Sequence, residues 1–135
     1  SILGANQLKR INTFLDYRKK IYNFYNANLK NVSQISILSK SNNKYTSSNH
    51  LFIIRIKNSN KKRKERFIKY MLKKKISLQF HYIPIFKFKI FNDKFLGKNS
   101  IAYYEEAISL PIYYKLSLRD LAHIVKTIKS FFNAR

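Results

Sequence analysis

The stretch His50-Leu51-Phe52-Ile53-Ile54-Arg55-Ile56-Lys57 is the clearest strand candidate in the chain, because it is rich in β-branched and aromatic residues and is bounded by Asn and Ser on both sides. A helix is predicted to follow almost at once, with Asn60 as its N-cap. Its buried stripe, at spacings of three and four, consists of Phe67, Ile68, Met71 and Leu72.

Toward the C-terminus, apolar and polar residues alternate from Ile76 to Ile83, which predicts a half-buried strand ended by Pro84. An irregular aromatic segment, Ile85 to Ser100, follows. The remaining elements are predicted as a helical turn, an extended segment broken by a proline, and a final helix, namely Ala102–Glu106, Ile108–Tyr113 and Ser117–Phe132. Ser117 and Asp120 resemble a capping box at the start of that last helix.

Toward the N-terminus, Val32 to Leu38 is predicted as a weak strand and the polar stretch Ser39 to Asn49 as a loop. The first thirty residues carry a helical stripe, with no Pro or Gly between Ala5 and Leu29. One helix of that length would be about 37 Å long, which favours a helix that bridges two bodies over a short coiled coil. The predicted fold class is therefore α+β, with a long N-terminal helix and a small, mostly antiparallel or mixed sheet flanked by helices.

The composition of the 135 residues combines 45% hydrophobic residues with a formal net charge of +22. No apolar run reaches the roughly 18 residues of a membrane span, and the absence of cysteine excludes disulfides and thiolate metal sites. Of the 28 basic residues 21 are Lys and 7 are Arg, in a sequence rich in residues with AT-rich codons. Biased coding therefore accounts for much of the charge, although it does not explain why acidic residues are few.

A small basic RNA- or DNA-binding module is the alternative that the charge suggests. Its phosphate contacts would come from the basic cluster between Arg55 and Lys75, namely Lys61, Lys62, Arg63, Lys64, Lys69 and Lys73. The nearby aromatic residues Phe67 and Tyr70 lie at core-like helical spacing instead of forming a stacking platform, and no RNP, KH or helix-turn-helix signature is present. A solvated helix face is the favoured interpretation.

An independent catalytic site is not predicted from the residues. Glu105 and Glu106 are adjacent and point in different directions on a helix, and His50, His81 and His123 have no metal-ligand spacing. The chain has only two glycines, so no glycine-rich phosphate loop is available. We therefore expect no metal site, a surface position for His123 and a structural role for His50.

Four segments in a fixed order resemble the C-terminal part of the DegT/DnrJ family of pyridoxal-phosphate-dependent sugar aminotransferases. They are Leu3–Leu8 with Phe14, Arg18 and Tyr25; Ser48–Phe52; Arg66–Ile76 with Gln79–Pro84; and Tyr103–Tyr113 with Leu116 and Ser117. Each segment is weak alone, and together they span essentially the whole chain. Two positions depart from the pattern: Phe86 stands where many relatives have a second His, and Lys75 where relatives have a helix-ending Gly.

The resemblance implies a division of the chain into residues 1–30, an interdomain helix, and residues 31–135, a small C-terminal α+β domain. The large cofactor domain would be absent, so that the chain, which starts without Met, would be a fragment. In the family the Schiff-base lysine and the other cofactor-binding residues lie upstream of this region. No catalytic or cofactor-binding residue is therefore expected here, and the fragment alone is expected to be inactive.

By the same resemblance, the intact enzyme would transfer an amino group, typically from glutamate, to a 4-keto sugar nucleotide with pyridoxal phosphate as cofactor. The most similar members look like those that aminate a UDP-linked keto sugar on the route to pseudaminic acid. His81 and Tyr82 are the predicted substrate-binding residues, in one wall of the sugar-nucleotide pocket, although a packing role for both is an equal alternative. A cytoplasmic homodimer without membrane or nucleic-acid partners is expected.

Overall fold

The computed structural model describes residues 2–38, 47–90 and 97–133. The elements in chain order are α1 Ile2–Lys9, α2 Ile11–Leu29, β1 Ile35–Leu38, β2 Phe52–Ile56, α3 Lys61–Lys73, a 3₁₀ turn Ile85–Lys87, α4 Lys98–Glu106, β3 Ala107–Leu110 and α5 Leu118–Asn133. The α+β prediction is confirmed. Part of the predicted loop at 39–49 and part of the irregular segment at 85–100 lie outside the described residues.

The three strands form an antiparallel sheet in the order β1-β2-β3, so that the segment from His50 to Lys57 supplies its central strand. Alternate residues of β2, namely Phe52, Ile54 and Ile56, are fully buried. These side chains join the buried faces of α2, α3 and α5 in one hydrophobic core. The core explains why the strand alternates between buried and half-buried positions.

The opposite face of β2 carries Arg55, which is bound to the last residue of α4. Its Nε donates to Glu106 Oε2 at 2.8 Å. Since both side chains are partly shielded from solvent, this ion pair fixes α4 against the sheet more firmly than an exposed pair would. The adjacent Glu105 and Glu106 therefore do not form a catalytic pair, because one carboxylate is used structurally.

The N-terminal helix is interrupted, whereas the sequence predicts one continuous helix. Arg10 has φ −104° and ψ 1°, outside the helical region, and separates α1 from α2. Residues of α1 bury no side chain, whereas α2 buries Ile21, Tyr25 and Leu29. The prediction of an uninterrupted helix was wrong because the apolar periodicity continues through Arg10 although the backbone does not.

The predicted strand from Ile76 to Ile83 is also wrong. Only Gln79 pairs with the sheet, through a single antiparallel bridge to Ser109. The physical reason lies at the two ends of the segment. The Ile76 N–H is already donated to Met71 O at 3.0 Å, and Pro84 has no N–H to donate. Between these ends, the apolar residues Phe80 and Tyr82 of the alternating pattern are exposed instead of packing on the core.

The end of α3 explains how Lys75 replaces a glycine. Lys75 has φ 61°, its N–H donates to Leu72 O at 2.8 Å, and the next N–H reaches Met71 O. This is the pair of hydrogen bonds that closes a helix through a left-handed residue, a position that glycine usually occupies. At the other end, Asn60 caps α3 as predicted, since its Oδ1 accepts the Arg63 N–H at 2.9 Å.

Tyr25 supplies a pH-dependent contribution to stability. Its ring is fully buried, and its hydroxyl donates to Pro111 O at 2.9 Å. Burial, with a smaller contribution from Tyr113, raises the pKa of Tyr25 above its ordinary value of 10. The folded state therefore keeps the proton at a pH where the unfolded state releases it. The contribution of Tyr25 to the free energy of unfolding is fully present below the unfolded-state pKa of about 10. Above that pH it falls by about 1.4 kcal/mol per pH unit.

We expect Tyr25→Phe to lower the free energy of unfolding by about 1–2 kcal/mol at pH 7, because the Pro111 carbonyl loses its donor. The difference between the wild type and this variant should shrink as the pH rises above about 10. Urea unfolding from pH 7 to 11 measures it, with Tyr82→Phe, an exposed tyrosine, as the matched control. Parallel pH profiles for the wild type and Tyr25→Phe would contradict this account.

Candidate functional site

A cavity of about 480 Å³ opens where four parts of the chain meet: α2, the approach to β2, the segment after α3, and the loop that joins β3 to α5. Six polar side chains of the described lining come from α2, the residues before β2, the segment after α3, β3 and α5. They are Arg18, His50, Gln79, His81, Ser109 and His123. A concave site with several convergent polar groups is the usual form of a small-molecule site.

The single bridge between Gln79 and Ser109 places His81 in this cavity. Gln79 N donates to Ser109 O at 3.2 Å, and Ser109 N donates to Gln79 O at 2.9 Å. Two residues further along, His81 Nδ1 lies 3.0 Å from Ser109 Oγ. Ser109 itself is buried in the middle of β3. Thus one residue of the sheet holds both the backbone before His81 and one of its ring nitrogens.

The second ring nitrogen of His81 has no partner among the described residues. Because Nδ1 is engaged by Ser109, Nε2 is the atom available to a ligand. A neutral imidazole nitrogen can donate or accept according to the tautomer, so it can pair with either a hydroxyl or an anionic oxygen. His81 is half-buried, which keeps it within reach of solvent and of a bound molecule.

Two tyrosine hydroxyls of α2 fix the loop on the other side of the cavity. Tyr25 donates to Pro111 O at 2.9 Å, and Tyr17 donates to Leu116 O at 3.3 Å. These contacts join residues that are far apart in the sequence, and they hold the loop from Pro111 to Leu116 against the N-terminal helix. This part of the cavity wall is therefore held in place by two hydrogen bonds to α2.

The charged groups around the cavity are mainly positive. Arg18 and Lys75 line it, and no carboxylate of the described residues lies within salt-bridge distance of either side chain. Asp120 also lines the cavity, but its Oδ2 accepts a hydrogen bond from Ser117 Oγ at 2.6 Å as part of the helix cap. An anionic ligand would therefore be favoured over a cationic one.

The two predicted site residues occupy different positions. His81 lines the cavity, whereas the Tyr82 side chain is 78% exposed and does not. The rings of the two residues nevertheless touch in an edge-to-face arrangement, with centroids 4.8 Å apart. The structure thus brings His81 together with Ser109 and Arg18 and leaves Tyr82 on the outer surface beside it.

Several lining residues were not predicted as site residues from the sequence. Arg18 lies in the apolar stripe of α2, and Ser109 interrupts an otherwise apolar, fully buried strand. A polar residue at a position where the pattern calls for an apolar one was the signal in the sequence that could have identified each as a site residue. His50 was expected to be a structural histidine, yet it is exposed and lines the cavity just before the start of β2. His123 is exposed as expected, and its Nε2 lies 3.0 Å from Lys74 O.

Other classes of site are not formed by the described residues. Within residues 2–38, 47–90 and 97–133, no three His, Asp or Glu side chains gather in a way that could hold a metal ion. In the same ranges, no helix is both long and apolar enough to span a bilayer. The aromatic residues of α3 are also accounted for by the core, since Phe67 is fully buried and Tyr70 packs on Phe131 with centroids 5.3 Å apart.

Comparison with known proteins identifies the group to which this arrangement belongs. A curated relative from Campylobacter jejuni serotype O:2, a UDP-4-amino-4,6-dideoxy-N-acetyl-beta-L-altrosamine transaminase, is 30% identical over 132 residues, which cover 95% of this chain and 35% of that protein. The chain thus spans about a third of the length of the curated relatives it matches.

Solved structures give the same result for the fold. Spr1654 from Streptococcus pneumoniae, named a sugar aminotransferase, superposes with a TM-score of 0.86 at 30% identity. The match covers 96% of this chain and 34% of the Spr1654 chain. PseC of Helicobacter pylori, an aminotransferase involved in the biosynthesis of pseudoaminic acid, has a TM-score of 0.86 at 25% identity, with 98% and 36% covered. The model of the DegT/DnrJ/EryC1/StrS aminotransferase family matches residues 1–129, and the chain belongs to that family.

Proposed function

We propose that this chain is the small C-terminal part of a sugar-nucleotide aminotransferase and that it contributes one wall of the substrate pocket. The observation that carries the proposal is His81, held by Ser109 at 3.0 Å in a cavity whose free cations are Arg18 and Lys75. A sugar nucleotide combines hydroxyl groups with a diphosphate, and such a wall offers a partner for each. Membership of an aminotransferase family supplies the reaction class.

Within the proposed pocket, His81 Nε2 binds a sugar hydroxyl or a diphosphate oxygen, and Arg18 and Lys75 stabilise the negative charge of the diphosphate. Tyr82, exposed beside His81, extends the wall toward residues contributed from outside this chain. The substrate is a 4-keto sugar linked to UDP, and the amino donor is glutamate. In support, one relative is named a UDP-4-amino-4,6-dideoxy-N-acetyl-beta-L-altrosamine transaminase, and PseC is described as an aminotransferase involved in the biosynthesis of pseudoaminic acid.

Pyridoxal phosphate, the cofactor of the family, does not fit the residues of the described cavity. The cofactor needs a lysine for its imine, an acidic partner for the pyridine nitrogen and a cup of donors for the phosphate. Lys75 is exposed at the end of α3, and Asp120 is engaged in a helix cap. We therefore place the cofactor lysine outside this chain, and no catalytic step is assigned to any of its residues.

The N-terminal surface supports the same proposal. Ile2, Leu3 and Leu8 of α1 are 85%, 78% and 67% exposed, and a groove of about 400 Å³ runs beside them to Leu15 of α2. Exposed apolar surface of this extent is typical of a contact with another protein body. We propose that residues 1–30 connect the small domain, residues 31–135, to a large cofactor domain, in a cytoplasmic homodimer.

Borohydride trapping tests where the cofactor is held. The full-length protein that contains this chain, reduced as purified and without added cofactor, should carry one pyridoxyl group per subunit. Peptide mapping should place that group on a lysine outside the 135 residues. A stoichiometric adduct on any lysine of this chain, Lys75 included, would overturn the proposal.

A further inference from the structure

A second cavity, of about 340 Å³, lies between α3, α4 and the 3₁₀ turn, and it shares no lining residue with the first. Its most unusual member is Lys64, which is only 7% exposed. A lysine is rarely buried unless its ammonium group is paired, because removing the charge from water is costly. The partners of this side chain therefore decide what the cavity can do.

Within the described part of the chain, the partners of Lys64 are uncharged. Its Nζ donates a hydrogen bond to the Tyr104 carbonyl oxygen, and it lies 4.6 Å from the Tyr104 ring centroid and 5.1 Å from that of Phe80. Among the described residues no carboxylate comes within salt-bridge distance of this ammonium group. Burial lowers the pKa of Lys64, and the more distant charge of Glu105 only partly opposes this. The ammonium group thus lacks an anionic partner at the edge of an open cavity.

The other charged groups that face the cavity leave it with a positive balance. Lys61 and Glu65 of α3, Lys87 of the 3₁₀ turn and Glu105 of α4 line it together with Lys64. Lys87 Nζ lies 5.1 Å from the Tyr104 ring centroid, so two ammonium groups approach the same ring. Three cations against two carboxylates favour the entry of an anion.

We propose that this cavity binds a small oxyanion, a carboxylate or a phosphate monoester, whose charged oxygens pair with Lys64. Lys87 adds a second cation at the cavity wall, and an apolar part of the ligand lies against Phe80 and Ile68. The volume is near the lower end of the range for small-molecule pockets, which limits the ligand to a small molecule. A charge-assisted hydrogen bond in a shielded site is about twice as strong as a neutral one.

Binding is coupled to the proton on Lys64. The anion pairs with the ammonium form and therefore raises the pKa that burial has lowered. The affinity falls as the pH rises through the lowered pKa of Lys64, below the range in which exposed lysines titrate. Lys61, Lys87, Glu65, Glu105 and Tyr104 are the other titratable groups that face the site.

The test is an NMR titration of the full-length protein that contains this chain, labelled with ¹³C at the lysine Cε atoms, with acetate, benzoate and inorganic phosphate, each replacing chloride at constant ionic strength. The Cε–Hε signals of Lys64 should shift saturably with at least one of these probes. Followed through the signals of Lys87, which lines the same cavity, Lys64→Met should weaken binding at least about ten-fold, whereas Lys69→Met, at an exposed lysine of the same helix, should bind like the wild type. Lys87→Met, on an exposed turn, should weaken binding several-fold and serves if Lys64→Met does not fold.

Two results would overturn the inference. The first is a Lys64 signal that none of the three anions moves. The second is a folded Lys64→Met variant, or a Lys87→Met variant in its place, that binds as tightly as the wild type. Either result leaves the proposed aminotransferase function untouched, because that proposal concerns the other cavity.

Discussion

Phe52→Ala is expected to lower the free energy of unfolding by about 3–5 kcal/mol, a large part of the roughly 5–15 kcal/mol that holds a domain folded. Phe52 is fully buried in the central strand, and its ring packs against Tyr22 and Tyr25 of α2 with centroids 5.1 and 4.9 Å away. Removing the ring opens a cavity between the sheet and the helix that holds the loop of the candidate site. Urea unfolding followed by circular dichroism measures the loss.

Phe88→Ala is the matched control for this substitution. Phe88 is 47% exposed and lies just after the 3₁₀ turn, outside the core. The change should alter the free energy of unfolding by less than about 0.5 kcal/mol. If Phe52→Ala cost no more than this control, β2 would not be the centre of the core.

His81→Asn in the full-length protein is expected to lower kcat/KM for the sugar nucleotide about 10–100-fold. The shorter side chain retains a group near the position of Nδ1, which meets Ser109, and loses the group at the position of Nε2. One hydrogen bond to a charged group is worth about 1.5–3 kcal/mol, which gives the expected range. Steady-state rates at varied sugar nucleotide and saturating amino donor provide the measurement.

His81→Gln should retain more activity than His81→Asn, because the glutamine amide reaches closer to the position of Nε2. Lys126→Ala, an exposed residue of α5 that does not line the cavity, should leave kcat/KM unchanged. Wild-type kinetics for His81→Asn, with a normal amount of folded protein, would remove His81 from the proposed substrate wall.

The central elements of the fold could be predicted from local patterns. Phe52–Ile56 is rich in β-branched residues, Asn60 caps the following helix, and Leu118–Asn133 has a broad apolar face; each structure depends mainly on neighbouring residues. The segment after α3 could not be predicted in the same way. Its alternation of apolar and polar residues is typical of a strand. However, the Ile76 N–H is used to close α3, and Pro84 has no N–H to pair with a neighbouring strand. The alternation does not show which hydrogen-bond donors are already used.

The candidate site was only partly predictable for a similar reason. His81 was identified through the resemblance of its surrounding motif, whereas its position depends on Ser109, 28 residues away, and the cavity wall depends on the contact between Tyr25 and Pro111, 86 residues apart. Such contacts are set by the strand order and the packing of α2. Periodicity in the sequence does not record them.

Amino transfer by the full-length protein tests the central claim most directly. The protein, loaded with pyridoxal phosphate, is incubated with glutamate and a UDP-linked 4-keto sugar, and the products are identified by mass spectrometry and NMR. We predict one equivalent of 2-oxoglutarate for each equivalent of a 4-amino sugar nucleotide. A loaded, folded protein that forms neither product, and that does not bind the sugar nucleotide, would contradict the account.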